Sequence, residues 1–268
     1  MLEFAPMRIV ERGNGRPVVL IHGFGVDHRV LMSLDPVFEA HGDWHRLYVD
    51  LPGTAGTPVG DVASSEQLVA FVRQAITDRL GDQPFALVGN SYGGMVARRL
   101  AHDFGDQVRG LAVIAGVMIA DHSRRTVPEK TVLREQPDLF DTDPDAAAQY
   151  AGEAVVQSRA GFEAFCKYVK PGLDTVDQSA LEEIAQHYSL DSEPEDDASQ
   201  PFDRPTLFLC GRQDNVVGYH DALTRIEHYS RGSYVVLDAA GHMVHLEQPE
   251  LTATAVTEWL DRLVANGF

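Results

Sequence analysis

The sequence predicts an α/β protein whose mainly parallel sheet is flanked by helices and interrupted once by a helical insertion. Three observations carry this. Short apolar runs of strand length alternate with longer amphipathic stretches up to about residue 116. The alternation resumes at Thr206. Residues 117–203, in between, contain no strand-like run. The predicted core is therefore 1–116 together with 204–268. A chain of 268 residues, 44% of them hydrophobic, can bury such a core and still carry an insertion.

The elements follow in order. Strands are expected at 7–11, 18–21, 46–49, 85–88, 108–115, 206–210 and 234–237, each an apolar or β-branched run bounded by glycine, proline or polar residues. Helices are expected at 30–39, 64–80, 92–104, 221–228 and 247–265. The second has clear ends: Ser64 or Ser65 can cap it, Glu66 lies in its first turn, and Gly81-Asp82 stops it. Within the insertion, helical pieces are expected at 129–135, 145–158, 162–168 and 178–188. Pro128, Pro137, Pro144, Pro171 and Pro194 punctuate them. The acidic run 191–197 reads as a solvated return linker.

The most informative stretch is Gly89-Asn90-Ser91-Tyr92-Gly93, a G-x-S-x-G match lying between a predicted strand and a predicted helix. That context is the one a nucleophile elbow requires, because a serine on a sharp turn needs small neighbours for strand and helix to approach. A serine hydroxyl needs a base. Of eleven histidines, His242 follows the last strand and so lies at the same sheet edge as Ser91. His245, three residues on, reads as a packing or capping residue. The carboxylate that orients the base is assigned to Asp214, after strand 206–210, with Asp238 as the alternative. An oxyanion needs preorganised N–H donors, expected from the backbones of Tyr92 and of Phe24 in His22-Gly23-Phe24-Gly25. His22 reads as a brace for that loop.

With these motifs in place, the chain resembles the α/β-hydrolase superfamily, in its cap-bearing group of small esterases, C–C hydrolases and relatives. The resemblance runs through His22-Gly23-Phe24-Gly25, Asp50-Leu51-Pro52-Gly53, Gly89 to Gly94, Gly211-Arg212-Gln213-Asp214 and Gly241-His242, followed by Glu247-Gln248-Pro249. It implies a helical cap at 117–203, inserted after the sixth core strand, and neither metal nor organic cofactor. Ser91 stands where haloalkane dehalogenases and epoxide hydrolases carry aspartate, which speaks against both activities. Thr54 replaces a histidine common in relatives. Asn90 resembles the Gly-Asn-Ser form of meta-cleavage-product C–C hydrolases, whereas Met243 replaces the aromatic residue usual there after the histidine.

The expected activity is two-step acyl transfer on a small, fairly hydrophobic carboxylic ester. Its pocket is assigned to Gly23, Phe24, Tyr92, Met118, Phe162, Phe165, Met243 and Val244. Arg124, Arg125 and Arg159 are candidates for gripping a carboxylate. The alternatives are C–C hydrolysis of a dienoic keto acid and a small-molecule receptor on the same fold. A net charge of −18, from 40 acidic and 22 basic residues, argues against nucleic acid and anionic membranes as partners. Cys166 and Cys210 do not suggest a disulfide framework. The first residues lack a signal-peptide pattern and no run approaches the roughly 18 apolar residues of a span, so a cytoplasmic location is expected. The natural substrate and the oligomeric state are left open.

Overall fold

A computed structural model describes residues 6–141, 143–198 and 200–268. Residues 1–5, part of the chain start considered above, lie outside them. Seven strands form one sheet in the order β1-β3-β2-β4-β5-β6-β7. They are β1 (Ile9–Arg12), β2 (Arg16–Ile21), β3 (Trp44–Val49), β4 (Phe85–Asn90), β5 (Val108–Ile114), β6 (Thr206–Gly211) and β7 (Gly232–Leu237). Only β1 runs antiparallel, against β3; the other pairings are parallel. The central strands are apolar on both faces because helices cover both, and every residue of β4 and β6 is buried. Each Val, Leu or Ile so buried contributes roughly 1.5–3 kcal/mol. Parallel pairing also brings the carboxyl ends of β2, β4, β5, β6 and β7 to one edge, where loops can meet.

Helices α1 (Arg29–Met32) and α2 (Asp35–His41) link β2 to β3. They replace the single helix expected at 30–39. Pro36 has no N–H to donate and opens a new helix at its second position instead. α3 (Ser65–Leu80) is capped by Ser64, whose hydroxyl accepts from the Gln67 amide. Ser65 instead turns inward to the Tyr92 hydroxyl, 2.8 Å away. α4 (Tyr92–Phe104) follows β4 without a spacer beyond Ser91.

Between β5 and β6 the chain forms α5 (Pro144–Glu153), α6 (Arg159–Tyr168), α7 (Lys170–Leu173), α8 (Gln178–Gln186) and α9 (Pro194–Asp197). This excursion follows the fifth strand, not the sixth, because five strands precede it among the described residues. No helix forms at 129–135. That stretch pairs instead with 155–157, Leu133 N donating to the Val155 carbonyl and Gln157 N to that of Arg134. Tertiary pairing has overridden local propensity. The acidic run at 191–197 is not a solvated linker either. Arg98, fully buried on α4, is clasped by both Glu193 and Glu195, and Glu195 also accepts from the Tyr229 hydroxyl. Burial pushes the Glu195 carboxyl up, yet Arg98 outweighs it and holds it down to about 2.

The chain closes with α10 (His220–Arg225), a 3-10 turn at Ile226–His228, α11 (Val244–Glu247) and α12 (Pro249–Ala265). Pro249 starts its own helix at the first position, which divides the expected 247–265 helix. α12 buries Trp259, Leu260 and Leu263 against the sheet. Among the described residues no helix is long and apolar enough to cross a membrane, and both cysteines are free.

Candidate active site

Ser91 sits between β4 and α4 with φ 52° and ψ −119°, a backbone region that side-chain-bearing residues rarely occupy. The conformation is held from three sides. Its amide donates to the Ile114 carbonyl at 3.0 Å, and its own carbonyl accepts from Gly94 and Val117. Two glycines make the turn possible. A Cβ on Gly93 would lie 2.1 Å from the Ile21 carbonyl oxygen, and one on Gly89 would lie 2.3 Å from that of Gly93.

The loop after β7 brings His242 Nε2 to 2.9 Å from Ser91 Oγ. On the other side of the ring, Nδ1 lies 3.0 Å from Asp214 Oδ2. A carboxylate can only accept, so Nδ1 carries the proton and Nε2 is left bare to accept from the hydroxyl. Asp214 is fully buried after β6, and its Oδ1 accepts from the Val216 and Val217 amides at 2.9 and 3.0 Å. Burial opposes a charged His242 imidazole, but the charge and hydrogen bond of Asp214 outweigh it and raise its pKa above the ordinary value.

The alternatives lie elsewhere. Asp238 is exposed and accepts from Gln213. His245 is buried without a well-formed hydrogen bond on either ring nitrogen, and burial pushes its pKa down to about 4. His22 donates from Nδ1 to the Gly23 carbonyl at 2.7 Å and accepts the Leu51 amide on Nε2. Thr54 packs beside the same ring nitrogen at 3.2 Å.

A cavity of about 400 Å³ opens onto Ser91 and His242. The predicted residues Gly23, Phe24, Phe165 and Met243 line it. Met118, Phe162, Val244 and the Tyr92 ring do not. Tyr92 points beneath the β2 loop to Ser65 and stacks edge-on against Phe24. Phe162 packs on Tyr150, and Met118 and Val244 are interior. Among the described residues, the backbone amides of Phe24 and Tyr92 bond no acceptor. A larger depression of about 550 Å³, between Arg99 and Phe202, contains no nucleophile and base pair.

Sequence reasoning missed part of the wall. Asn90, Gln149, Glu153, Leu173 and Tyr188 all face the cavity. It also missed Glu247, a partly buried carboxylate accepting from the amides of Gly241, Val155 and Val156. Burial pushes its pKa up and those amides pull it back. Among the described residues, Asp27, His28 and Asp50 form the one cluster with metal-ligand atoms close together. Those atoms already serve the protein. Asp50 accepts from both the backbone and ring nitrogens of His28, and Asp27 pairs with Arg29.

Residues 16–249 match the family described as alpha/beta hydrolase fold. The chain belongs to the α/β-hydrolase family. A solved α/β superfamily hydrolase from Oenococcus oeni superposes with a TM-score of 0.90 at 26% identity, over 98% of this chain and 99% of that one. Among curated α/β-hydrolase relatives, an (E)-2-((N-methylformamido)methylene)succinate hydrolase from Acinetobacter baylyi is 26% identical over 94% of this chain and 92% of its own length. A pimeloyl-[acyl-carrier protein] methyl ester esterase from Legionella pneumophila is 24% identical over 93% of this chain and 97% of its own. The chain is thus a hydrolase of that fold, with relatives that include esterases.

Proposed function

We propose that this α/β-hydrolase cleaves a small, fairly hydrophobic carboxylic ester through an acyl-enzyme. One observation carries the reading: Ser91, His242 and Asp214 form an unbroken hydrogen-bond chain whose serine end opens into the cavity. Ser91 attacks the ester carbonyl while His242 Nε2 takes its proton, and Asp214 holds the imidazole and steadies its charged form. The amides of Phe24 and Tyr92 receive the oxyanion. Removing one such donor typically costs on the order of 3 kcal/mol of barrier. His242 returns the proton to the departing alcohol, and water then releases the acid. The segment 117–203 acts as a cap, since its Gln149, Phe165 and Tyr188 line the cavity that holds Ser91.

The esterase and hydrolase names of the relatives support the reaction class. Hydrolysis of p-nitrophenyl acetate, butyrate and octanoate by wild type and Ser91→Ala tests it. Multiple turnover that disappears in the variant is expected, and the chain-length profile sizes the acyl site. Inactivity of folded protein on all three would overturn the ester assignment, and turnover of a dienoic keto acid instead would put C–C cleavage in its place.

A further inference from the structure

Three arginines of the insertion were candidates for holding an anion, and the structure separates them. Arg159 pairs with Asp138 on the surface, and Arg124 is exposed. Arg125 alone lines the cavity that opens onto Ser91. Its guanidinium is fixed by three backbone carbonyls: Nε donates to Ile119 at 2.7 Å, and the two terminal nitrogens donate to Val216 at 3.1 Å and Ala120 at 3.0 Å. Tyr188 lines the same cavity. Among the described residues no carboxylate forms an ion pair with it.

Elsewhere in the chain Arg46, Arg79, Arg98, Arg99 and Arg225 each meet a carboxylate, whereas Arg125 is held at the cavity by neutral carbonyls. Arg125 keeps its full charge facing the cavity, with five donors of which carbonyls occupy three. Neutral carbonyls orient the fork without neutralising it. Such a preset fork matches a carboxylate in shape and charge. The acid in the wall, Glu153, is exposed and leaves the guanidinium unpaired.

We infer that the acyl group held between Ser91 and Arg125 carries its own carboxylate, so that the preferred substrates are monoesters of dicarboxylic acids. The inference rests on the serine-hydrolase reading and narrows it. Each turnover consumes one water. The ester bond breaks, the alcohol leaves with a proton, and the diacid is released with its distal carboxylate unchanged.

The test compares the mono-p-nitrophenyl esters of adipic, pimelic and suberic acids with p-nitrophenyl hexanoate, heptanoate and octanoate, after subtraction of the uncatalysed rate. A hydrogen-bonded charge contact of this kind predicts a kcat/KM ratio, charged over neutral at matched length, of roughly 10 to 100 for at least one pair. In Arg125→Gln that ratio falls toward one, in Arg125→Lys it falls part of the way, and in Arg159→Gln it stays at the wild-type value. Because the readout is a ratio within one protein sample, a partly folded variant does not distort it, and the wild-type ratio stands even if an Arg125 variant does not fold. A wild-type ratio below 10 throughout the series, with the neutral esters turned over, overturns the inference and leaves the serine hydrolase intact. A high ratio that survives Arg125→Gln overturns the assignment to Arg125. Failure of every ester together with failure of a fluorophosphonate to label Ser91 sinks the underlying reading, and this inference with it.

Discussion

Glu247 accepts a 2.6 Å hydrogen bond from the amide of Gly241, the residue immediately before His242. Its other carboxylate oxygen accepts from Val155 and Val156, between α5 and α6. One partly buried side chain thus fastens the loop carrying the proposed base to the insertion. Glu247→Ala strands three amides, each costing about 1–3 kcal/mol if it stays buried and unpaired. A lower melting temperature and a kcat reduced at least tenfold are expected in thermal melts and steady-state assays. Glu247→Gln, which can still accept on its amide oxygen, should lose less of both.

The raised pKa of His242 sets the acid limb of the rate profile. The base must be neutral to take the Ser91 proton, so kcat/KM climbs as pH rises through the His242 titration. Its midpoint should lie above the ordinary 6.5. In Asp214→Asn the carboxylate that favours the imidazolium is gone. The midpoint then moves down and kcat falls by about 10³ to 10⁴. In Asp238→Asn, where the exposed side chain accepts from Gln213 and not from His242, neither should move.

Backbone strain at Ser91 has a measurable signature. Both Ser91→Ala and Ser91→Gly abolish the proposed nucleophile, yet only glycine adopts φ 52° without steric cost. Strain of this kind costs on the order of 1–3 kcal/mol, partly offset by the freedom glycine gains when unfolded. Ser91→Gly should therefore be about 1 kcal/mol more stable than Ser91→Ala in urea titrations. Equal midpoints would mean that the turn is relaxed.

Buried pairing of Arg98 with Glu195 predicts a defined acid sensitivity. A carboxyl whose folded pKa is depressed from 4.5 to about 2 contributes stability that is fully present above 4.5 and is lost as pH falls toward about 2. Glu195→Gln should be destabilised by about 3 kcal/mol near neutral pH, since it leaves the Arg98 charge under-compensated in the interior. That deficit should shrink as the titration is repeated at successively lower pH across the same window.

The residues now within hydrogen-bond distance of one another were legible because their signals are local. Gly89 and Gly93 frame Ser91, and both Asp214 and His242 directly follow apolar runs that can only be strands. Parallel pairing then does the long-range work of bringing them together. What was not legible depends on partners far apart in sequence. Arg98 and Glu195 meet across 97 positions, and in sequence the acidic run around Glu195 looks like any solvated stretch. Glu247 lay inside a quoted motif, but its acceptors' partners, Val155 and Val156, carry no signal of their own. Tyr92 was assigned to the pocket by adjacency to Ser91. Helical geometry turns its ring the other way, toward Ser65 and Phe24.

Ser91, Asp214 and His242 all follow sheet strands, whereas Arg125, Phe165 and Tyr188 belong to the excursion between β5 and β6. On the proposed reading, bond breaking and substrate choice are thereby written on different stretches of polypeptide that meet at one cavity. Grafting another chain's excursion between Ile114 and Thr206, with the Arg98 and Glu247 anchor points retained, would exchange the menu while leaving the knife in place.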